Sequence, residues 1–217
     1  MSDSSPLKIH PSAVVDEGAV IGDGTAIWHF SHICAGAVIG NSCSLGQNVL
    51  VADNASLGNN VKVQNNVAIY GGITVEGDVF LGPSCVLTNV TNPRSQVSRK
   101  SLYEKTLIKR GATIGANATV VCGITLGRYC FIGAGAVVTK DFPDYGLVLG
   151  NPGKLSGYMS RHGHKLIFGE LGRATCPESN FVYEKKEDQV HCLDLGEDEP
   201  LPSELSSGSQ DYDSFKS

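Results

Sequence analysis

The chain has 217 residues, 41% of them hydrophobic, 7% aromatic and 18% charged, with 26 glycines and a formal net charge of −5. That charge argues against a nucleic-acid-binding surface, and no apolar run reaches the length of a membrane span. The N-terminus lacks the apolar core of a signal peptide, so the expected compartment is the cytoplasm. The seven cysteines follow no disulfide or zinc spacing and read as free thiols, with no metal expected.

Residues 1–8 are polar and are expected to fray. From Ile9 a fixed period begins. Every sixth residue is aliphatic: Ile9, Val15, Ile21, Ile27, Ile33, Ile39, Leu45, Val51, Leu57, Val63, Ile69, Val75, Leu81 and Leu87. The beat returns in a new phase at Ile108, Ile114, Val120, Leu126, Ile132 and Val138. A period of six is neither helical nor that of a plain strand, and it fits a parallel β-helix in which each short strand is followed by a corner. The fifth position is small or β-branched (Ala13, Thr25, Ser31, Ala37, Cys43, Val49), so large and small inward residues alternate. Cys43, Cys85 and Cys130 fall there and face inward as small hydrophobes. Positions three and four carry turn formers such as Asp23-Gly24, Asp53-Asn54, Asn59-Asn60 and Gly71-Gly72.

This pattern resembles the hexapeptide repeat of the left-handed β-helix acyltransferases over residues 9–155. Longer strings narrow the resemblance: Ile27-Trp28-His29-Phe30, Ser44 to Val49, Val63 to Val67, Gly82-Pro83-Ser84, Thr88 to Ser95, and Gly111 to Asn117. Together they look like bacterial sugar N-acetyltransferases that acetylate the 3-amino group of UDP-2-acetamido-3-amino-2,3-dideoxyglucuronate for surface polysaccharide (lipopolysaccharide O-antigen) biosynthesis. The resemblance implies acetyl-CoA as cosubstrate and a homotrimer with sites between subunits. Apolar residues at outward positions on the rungs, for example Val20, Val38 and Leu50, agree with such a contact. The expected fold is all-β, a left-handed parallel β-helix with one protruding loop and a small C-terminal extension.

Three hexads make one coil in that family, so residues about 18 apart stack roughly one strand spacing, ~4.8 Å, from each other. One corner column then reads His29-Phe30, Gln47-Asn48, Asn65-Asn66, Pro83-Ser84, with no glycine. Two readings of it stand side by side: an asparagine ladder that satisfies backbone groups, or a substrate-binding edge carried by His29, Gln47, Asn65 and Asn66.

Residues 88–107 break the beat and read as a loop leaving the prism, of the length that functional loops have. Its cations, Arg94 and Lys100 foremost, suit a diphosphate and a sugar carboxylate. By resemblance Asn89 lies at the reacting centre, with His29 and His32 as rival candidates for a base or for substrate contact. Gly133-Ala134-Gly135 would lie along the pantetheine arm of coenzyme A, and Arg128, Lys140 and Lys154 are candidates for its phosphates.

The string Gly150-Asn151-Pro152-Gly153-Lys154 ends the prism in the resembled superfamily. A short helix is expected over about 154–162, leading into a C-terminal extension spanning 156–195. A small hairpin is expected between Cys176-Pro177 and His191-Cys192, and a disordered acidic tail over 196–217. Acetylation of a dTDP-linked 3-amino-hexose is the alternative within the class. A γ-carbonic-anhydrase-like zinc protein is the rival from another class, although His29 and His32 are three apart where that pattern needs His-x4-His. A non-catalytic scaffold has no use for the polar corner or the basic loop.

Overall fold

The computed structural model describes residues 6–208. Two-residue strands recur every six residues from Lys8–Ile9 to Val137–Val138 and stack in three parallel sheets. Face A runs through Lys8–Ile9, Ala26–Ile27, Ser44–Leu45, Lys62–Val63, Phe80–Leu81, Thr113–Ile114 and Phe131–Ile132. Face B runs through Val14–Val15, His32–Ile33, Leu50–Val51, Ala68–Ile69, Val86–Leu87, Thr119–Val120 and Val137–Val138. Face C runs through Val20–Ile21, Val38–Ile39, Ser56–Leu57, Ile73–Val75, Thr106–Ile108 and Thr125–Leu126. The pairing register is 18 residues, as in Ala26↔Ser44 and Val38↔Ser56. This is the left-handed β-helix that the six-residue beat implies.

The first position of each hexad fills the core: Ile33, Leu45, Val51, Ile69, Leu81, Ile114 and Ile132 are fully buried. The fifth position also points in, with Thr25, Ser31 and Ala37 buried beside them. Thr25 and Ser31 donate their hydroxyls to the carbonyls of Gly40 and Gly46 at 2.8 and 2.9 Å, so no polar group is stranded inside. The N-terminal coil lacks a neighbour below, which leaves Ile9 exposed.

Corners close on a residue of positive φ at the fourth position, for example Asn48 (55°), Asn54 (57°), Asn60 (58°) and Asn66 (62°). Asparagine tolerates this left-handed region better than other side chains with a Cβ. The second position is often glycine for a different reason. A Cβ on Gly40 would lie 2.5 Å from Asn59 Oδ1 and 2.6 Å from the Gly58 carbonyl carbon of the coil above.

Across the protruding loop the register is 33 residues (Phe80↔Thr113, Val86↔Thr119), so the loop inserts 15 residues into one coil without disturbing the stack. The ladder resumes at Thr106, two residues earlier than the aliphatic beat alone suggested.

Three expectations at the chain ends are corrected. Lys154–Tyr158 is a strand, not the start of a helix; it pairs antiparallel with Gly146–Leu149, the last rung of face A. Gly157 has φ 143°, outside helical space, and the unpaired edge of the last rung recruits the segment. Beyond it the expected hairpin is present as Val182–Lys186 with Gln189–Cys192, joined by a third strand, Arg173–Thr175. This sheet has its own core of Tyr145, Tyr158, Leu166, Cys176, Tyr183 and Val190.

Residues 196–208, expected to be disordered, lie against the prism. Arg161 donates to the carbonyls of Gly196 (2.8 Å) and Glu199 (3.3 Å) and to the Glu197 carboxylate (3.1 Å). Arg110 and Arg128 hold Asp198, and the hydroxyl of Tyr145 donates to Glu197 at 2.5 Å. The acidic composition that suggested solvation supplies the partners of three arginines, two on adjacent coils and one beyond the last rung. The rest of that tail, residues 209–217, lies outside the described residues, as do residues 1–5 of the segment expected to fray; Lys8 already forms a strand with Ile9.

Candidate active site

The prism has three edges, and the candidate residues fall on all of them. The first edge, between faces A and B, carries 29–30, 47–48, 65–66, 83–84, 116–117 and 134–135. The second, between B and C, carries 17–18, 35–36, 53–54, 71–72, the protruding loop, 122–123 and 140–141. The third, between C and A, carries 23–24, 41–42, 59–60, 77–78, 110–111 and 128–129.

The polar column is real and lies on the first edge, and part of it has a backbone role. Asn65 Oδ1 accepts the amide of Gln47 at 2.8 Å, as Asn59 does for Asn41 on the third edge. Asn48 donates its side-chain amide to Asn66 at 3.0 Å. Asn65 is therefore a ladder residue, while the exposed Gln47 side chain projects from the same edge. At the foot of the column His29 stacks on His10 with ring centroids 3.5 Å apart, and its buried Nδ1 has no hydrogen-bond partner.

His32 points outward from face B, and its Nε2 lies 3.1 Å from both oxygens of Asp16. Cys34 joins them: one ligand atom from each of Asp16, His32 and Cys34 lies within 4.8 Å of the others. Burial, followed by the Asp16 and Asp53 carboxylates, pushes the Cys34 thiol up. Asp16 escaped the sequence reading, yet it and Cys34 are one coil apart, so stacking arithmetic identifies the neighbour. His29 and His32 have separate partners and do not form a joint ligand pair.

Asn89 is half-buried at the neck of the loop on the second edge. Its carbonyl accepts the Glu104 amide at 3.0 Å, closing the insertion on itself. Thr91 donates its hydroxyl to the Glu104 carboxylate and lies 3.5 Å from Cys122 Sγ. The Thr88 hydroxyl accepts the Cys122 amide at 3.0 Å. These contacts fix the loop's base and bring Glu104, which sequence spacing did not reveal, next to Asn89 in the fold.

The loop itself is exposed and surrounds a cavity of about 470 Å³ lined by Pro93, Arg94, Ser98, Arg99, Lys100 and Tyr103. Arg94 donates to the Pro93 carbonyl and Arg99 to that of Asn92, which bends the loop so that its cations share one hollow.

The residues proposed for coenzyme A divide. Gly135 (φ 68°) forms an open corner on the first edge, with no atom within 4 Å of a built Cβ. Gly133 is small for a packing reason, since a Cβ there would meet Leu149 Cδ2 at 2.4 Å. Lys140 and Lys154 are exposed, whereas Arg128 is engaged with Asp198 on the third edge. Within one chain, then, the polar column and Gly133–Gly135 share an edge, Asn89 and the loop share the next, and face B separates them.

A family model described as bacterial transferase hexapeptide (six repeats) matches residues 18–53 and 105–140. The chain is 46% identical over 167 residues to the dTDP-3-amino-3,6-dideoxy-α-D-galactopyranose 3-N-acetyltransferase of Aneurinibacillus thermoaerophilus, covering 77% of this chain and 86% of that protein. It is 27% identical to a perosamine N-acetyltransferase mutant of Caulobacter crescentus, solved with CoA and GDP-perosamine, with a TM-score of 0.45 over 71% of this chain. It is 26% identical to the acetyltransferase domain of PglB from Neisseria gonorrhoeae, solved with acetyl coenzyme A, with a TM-score of 0.46 over 70% of this chain. The chain spans 58% of the length of each of these two structures.

Proposed function

This chain belongs to the hexapeptide-repeat sugar N-acetyltransferases, and from that premise we propose that it transfers the acetyl group of acetyl-CoA to the 3-amino group of a nucleotide-linked amino sugar. The observation that carries this reading is the 46% identity to an enzyme of that reaction over 77% of the chain. The same identity favours a dTDP-linked 3-amino-3,6-dideoxyhexose over the UDP-linked glucuronate. The hollow of Arg94, Arg99 and Lys100 suits the diphosphate of either, and a carboxylate on the sugar is not required to account for it.

In the reaction the neutral amine attacks the thioester carbonyl, the C–N bond forms, and the C–S bond breaks. The amine nitrogen loses its proton and the departing sulfur gains one. Asn89 orients the amine through its amide, which is too weak a base to take the proton, so the proton ends on the coenzyme A sulfur. The second edge, with Asn89 and the loop, and the first edge, with the polar column and Gly133–Gly135, are separated by face B within one chain. We assign a homotrimer in which one protomer's first edge faces its neighbour's second edge, so that each site is shared. Val14 and Val86, outward on face B between those edges, are apolar and exposed, as that contact requires. A cytoplasmic location belongs to the same reading; among the described residues no helix is long and apolar enough to cross a membrane.

The test is thiol release from acetyl-CoA with a panel of dTDP-, UDP- and GDP-linked amino sugars, including the UDP-linked 3-amino-glucuronate. The dTDP-linked 3-amino-hexose is expected to give the highest kcat/KM. A higher value with the glucuronate moves the substrate assignment, and no turnover with any of them removes the function.

A further inference from the structure

Resting on the reading of the chain as a nucleotide-sugar N-acetyltransferase, we propose that Trp28 and Phe30 form a stacking step that receives the pyrimidine base of the nucleotide sugar. The first observation is strain without a packing reason. The fourth position of the hexad corners holds glycine, asparagine, serine or aspartate almost throughout, and three aromatic residues stand out with positive φ, Phe30 (59°), Tyr129 (54°) and Tyr145 (62°), the last fully buried in the C-terminal core. A bulky side chain in this region is a steric outlier. For Tyr129 the surroundings account for it: its ring stacks on Tyr145 at 5.2 Å, carries the Arg161 guanidinium at 4.4 Å, and its hydroxyl donates to Glu197. Phe30 is 68% exposed, and its one ring neighbour is His29 at 6.0 Å. It is strained and also exposes an apolar ring, a combination that a ligand covering the ring explains.

The second observation is that the first coil prearranges these rings. Trp28 is 45% exposed beside a cleft of about 240 Å³ lined by Lys8, His10 and Pro11. The Trp28 and His29 rings are within 7° of parallel. His29 rests on His10, His10 Nδ1 pairs with the Ser12 hydroxyl at 2.9 Å, and that hydroxyl oxygen accepts the Phe30 amide at 3.1 Å. His10 and Ser12 thus hold the triplet in place. Every base has a π face, and a fixed, exposed aromatic step is what stacking on one requires.

The position in the fold selects the base of the sugar nucleotide over the adenine of coenzyme A. The step lies at the open end of the prism, five coil spacings (~24 Å) below Gly133–Gly135. The exposed side chain of Gln47 lies one coil above it on the same edge, where it can meet the base or ribose. Asn89 is three coils higher (~14 Å) and one face across, so base and amine are served by adjoining protomers.

Trp28 is the one tryptophan of the chain, so its fluorescence reports on the step directly. The full-length protein is titrated separately with dTDP, UDP and CoA. Saturable quenching by the pyrimidine nucleotides and none by CoA is expected. Phe30→Gly, whose glycine adopts the corner without strain and so preserves folding, is expected to raise the nucleotide Kd about fivefold to a hundredfold and leave the KM for acetyl-CoA unchanged. Quenching by CoA alone overturns the assignment, as does turnover of a nucleotide sugar without quenching by its nucleotide. An unchanged nucleotide Kd in a Phe30→Gly protein that falls apart into monomers would identify the step as a subunit contact instead. Absence of acetyl transfer to every nucleotide sugar tested sinks the broader reading, which these binding outcomes keep separate.

Discussion

Replacing Arg161 with alanine tests whether the C-terminal strap is a bound element of the fold. The Arg161 side chain is 1% exposed, and its guanidinium donates to the Glu197 carboxylate, the Tyr145 hydroxyl and the carbonyls of Leu195, Gly196 and Glu199. Burial alone would make that cation costly, yet the Tyr145 hydroxyl and Glu197 hold it firmly charged. Removing one partner of a buried pair costs ~3–5 kcal/mol in general. Two features lower the figure here. Tyr145 still donates to Glu197, and the strap can lift so that Glu197 regains water, which caps the loss at the free energy of docking the strap. The expected destabilisation is therefore about 2–4 kcal/mol. At about 2–4 °C per kcal/mol for a chain of this size, Tm should fall by roughly 5–15 °C. Thermal melts followed by circular dichroism, with limited proteolysis, provide the assay, and cleavage between residues 193 and 208 should appear in Arg161→Ala and be slow in the wild type. A variant that melts within about 2 °C of wild type, with the strap still protected, would refute the reasoning.

Asn89→Ala is expected to lower kcat by more than about tenfold while His32→Ala changes mainly KM, since only Asn89 sits at the loop neck; steady-state kinetics with acetyl-CoA and the preferred nucleotide sugar decide, and equal kcat in Asn89→Ala and wild type removes Asn89 from the mechanism. Gly40→Ala would drive a Cβ against the Gly58 backbone and should cost about 3 kcal/mol or more in urea denaturation, whereas Asn60→Gly, at a corner glycine also adopts, should stay within about 1 kcal/mol of wild type. Burial pushes the Cys85 and Cys130 thiols up to about 12. Their folded pKa is raised, so the stabilisation is complete below the unfolded value near 9 and is lost as pH climbs towards 12. Over that window stability should fall by about 2.7 kcal/mol per pH unit from the two thiols together, and the Cys85→Ala, Cys130→Ala double variant should lose that part of the slope in urea denaturation between pH 9 and 11.

The repeat was legible because its determinants are local and periodic. Each aliphatic at the first position, each small residue at the fifth and each asparagine at a left-handed corner acts within its own hexad and the coil above. The enzyme class was legible only through the resemblance carried by the strings around Trp28, Asn65, Asn89 and Gly111. The departures came from contacts that lie outside the six-residue period. Glycine at 157 and the free edge of the last rung turned an expected helix into a strand.

The amino-acid sequence by itself determined the six-residue beat, hence the triangular column, its filled core and the place where the loop leaves it. Tertiary structure decided what the polar residues on each edge meet, so that Asn65 serves a backbone amide while the Asn89 carbonyl closes the neck of the loop. It also decided that an acidic tail docks on Arg110, Arg128 and Arg161. A periodic signal fixes a residue's face through its position in the hexad, but a charge finds its partner through space, and Arg161 and Glu197 meet across 36 residues of chain that no period spans.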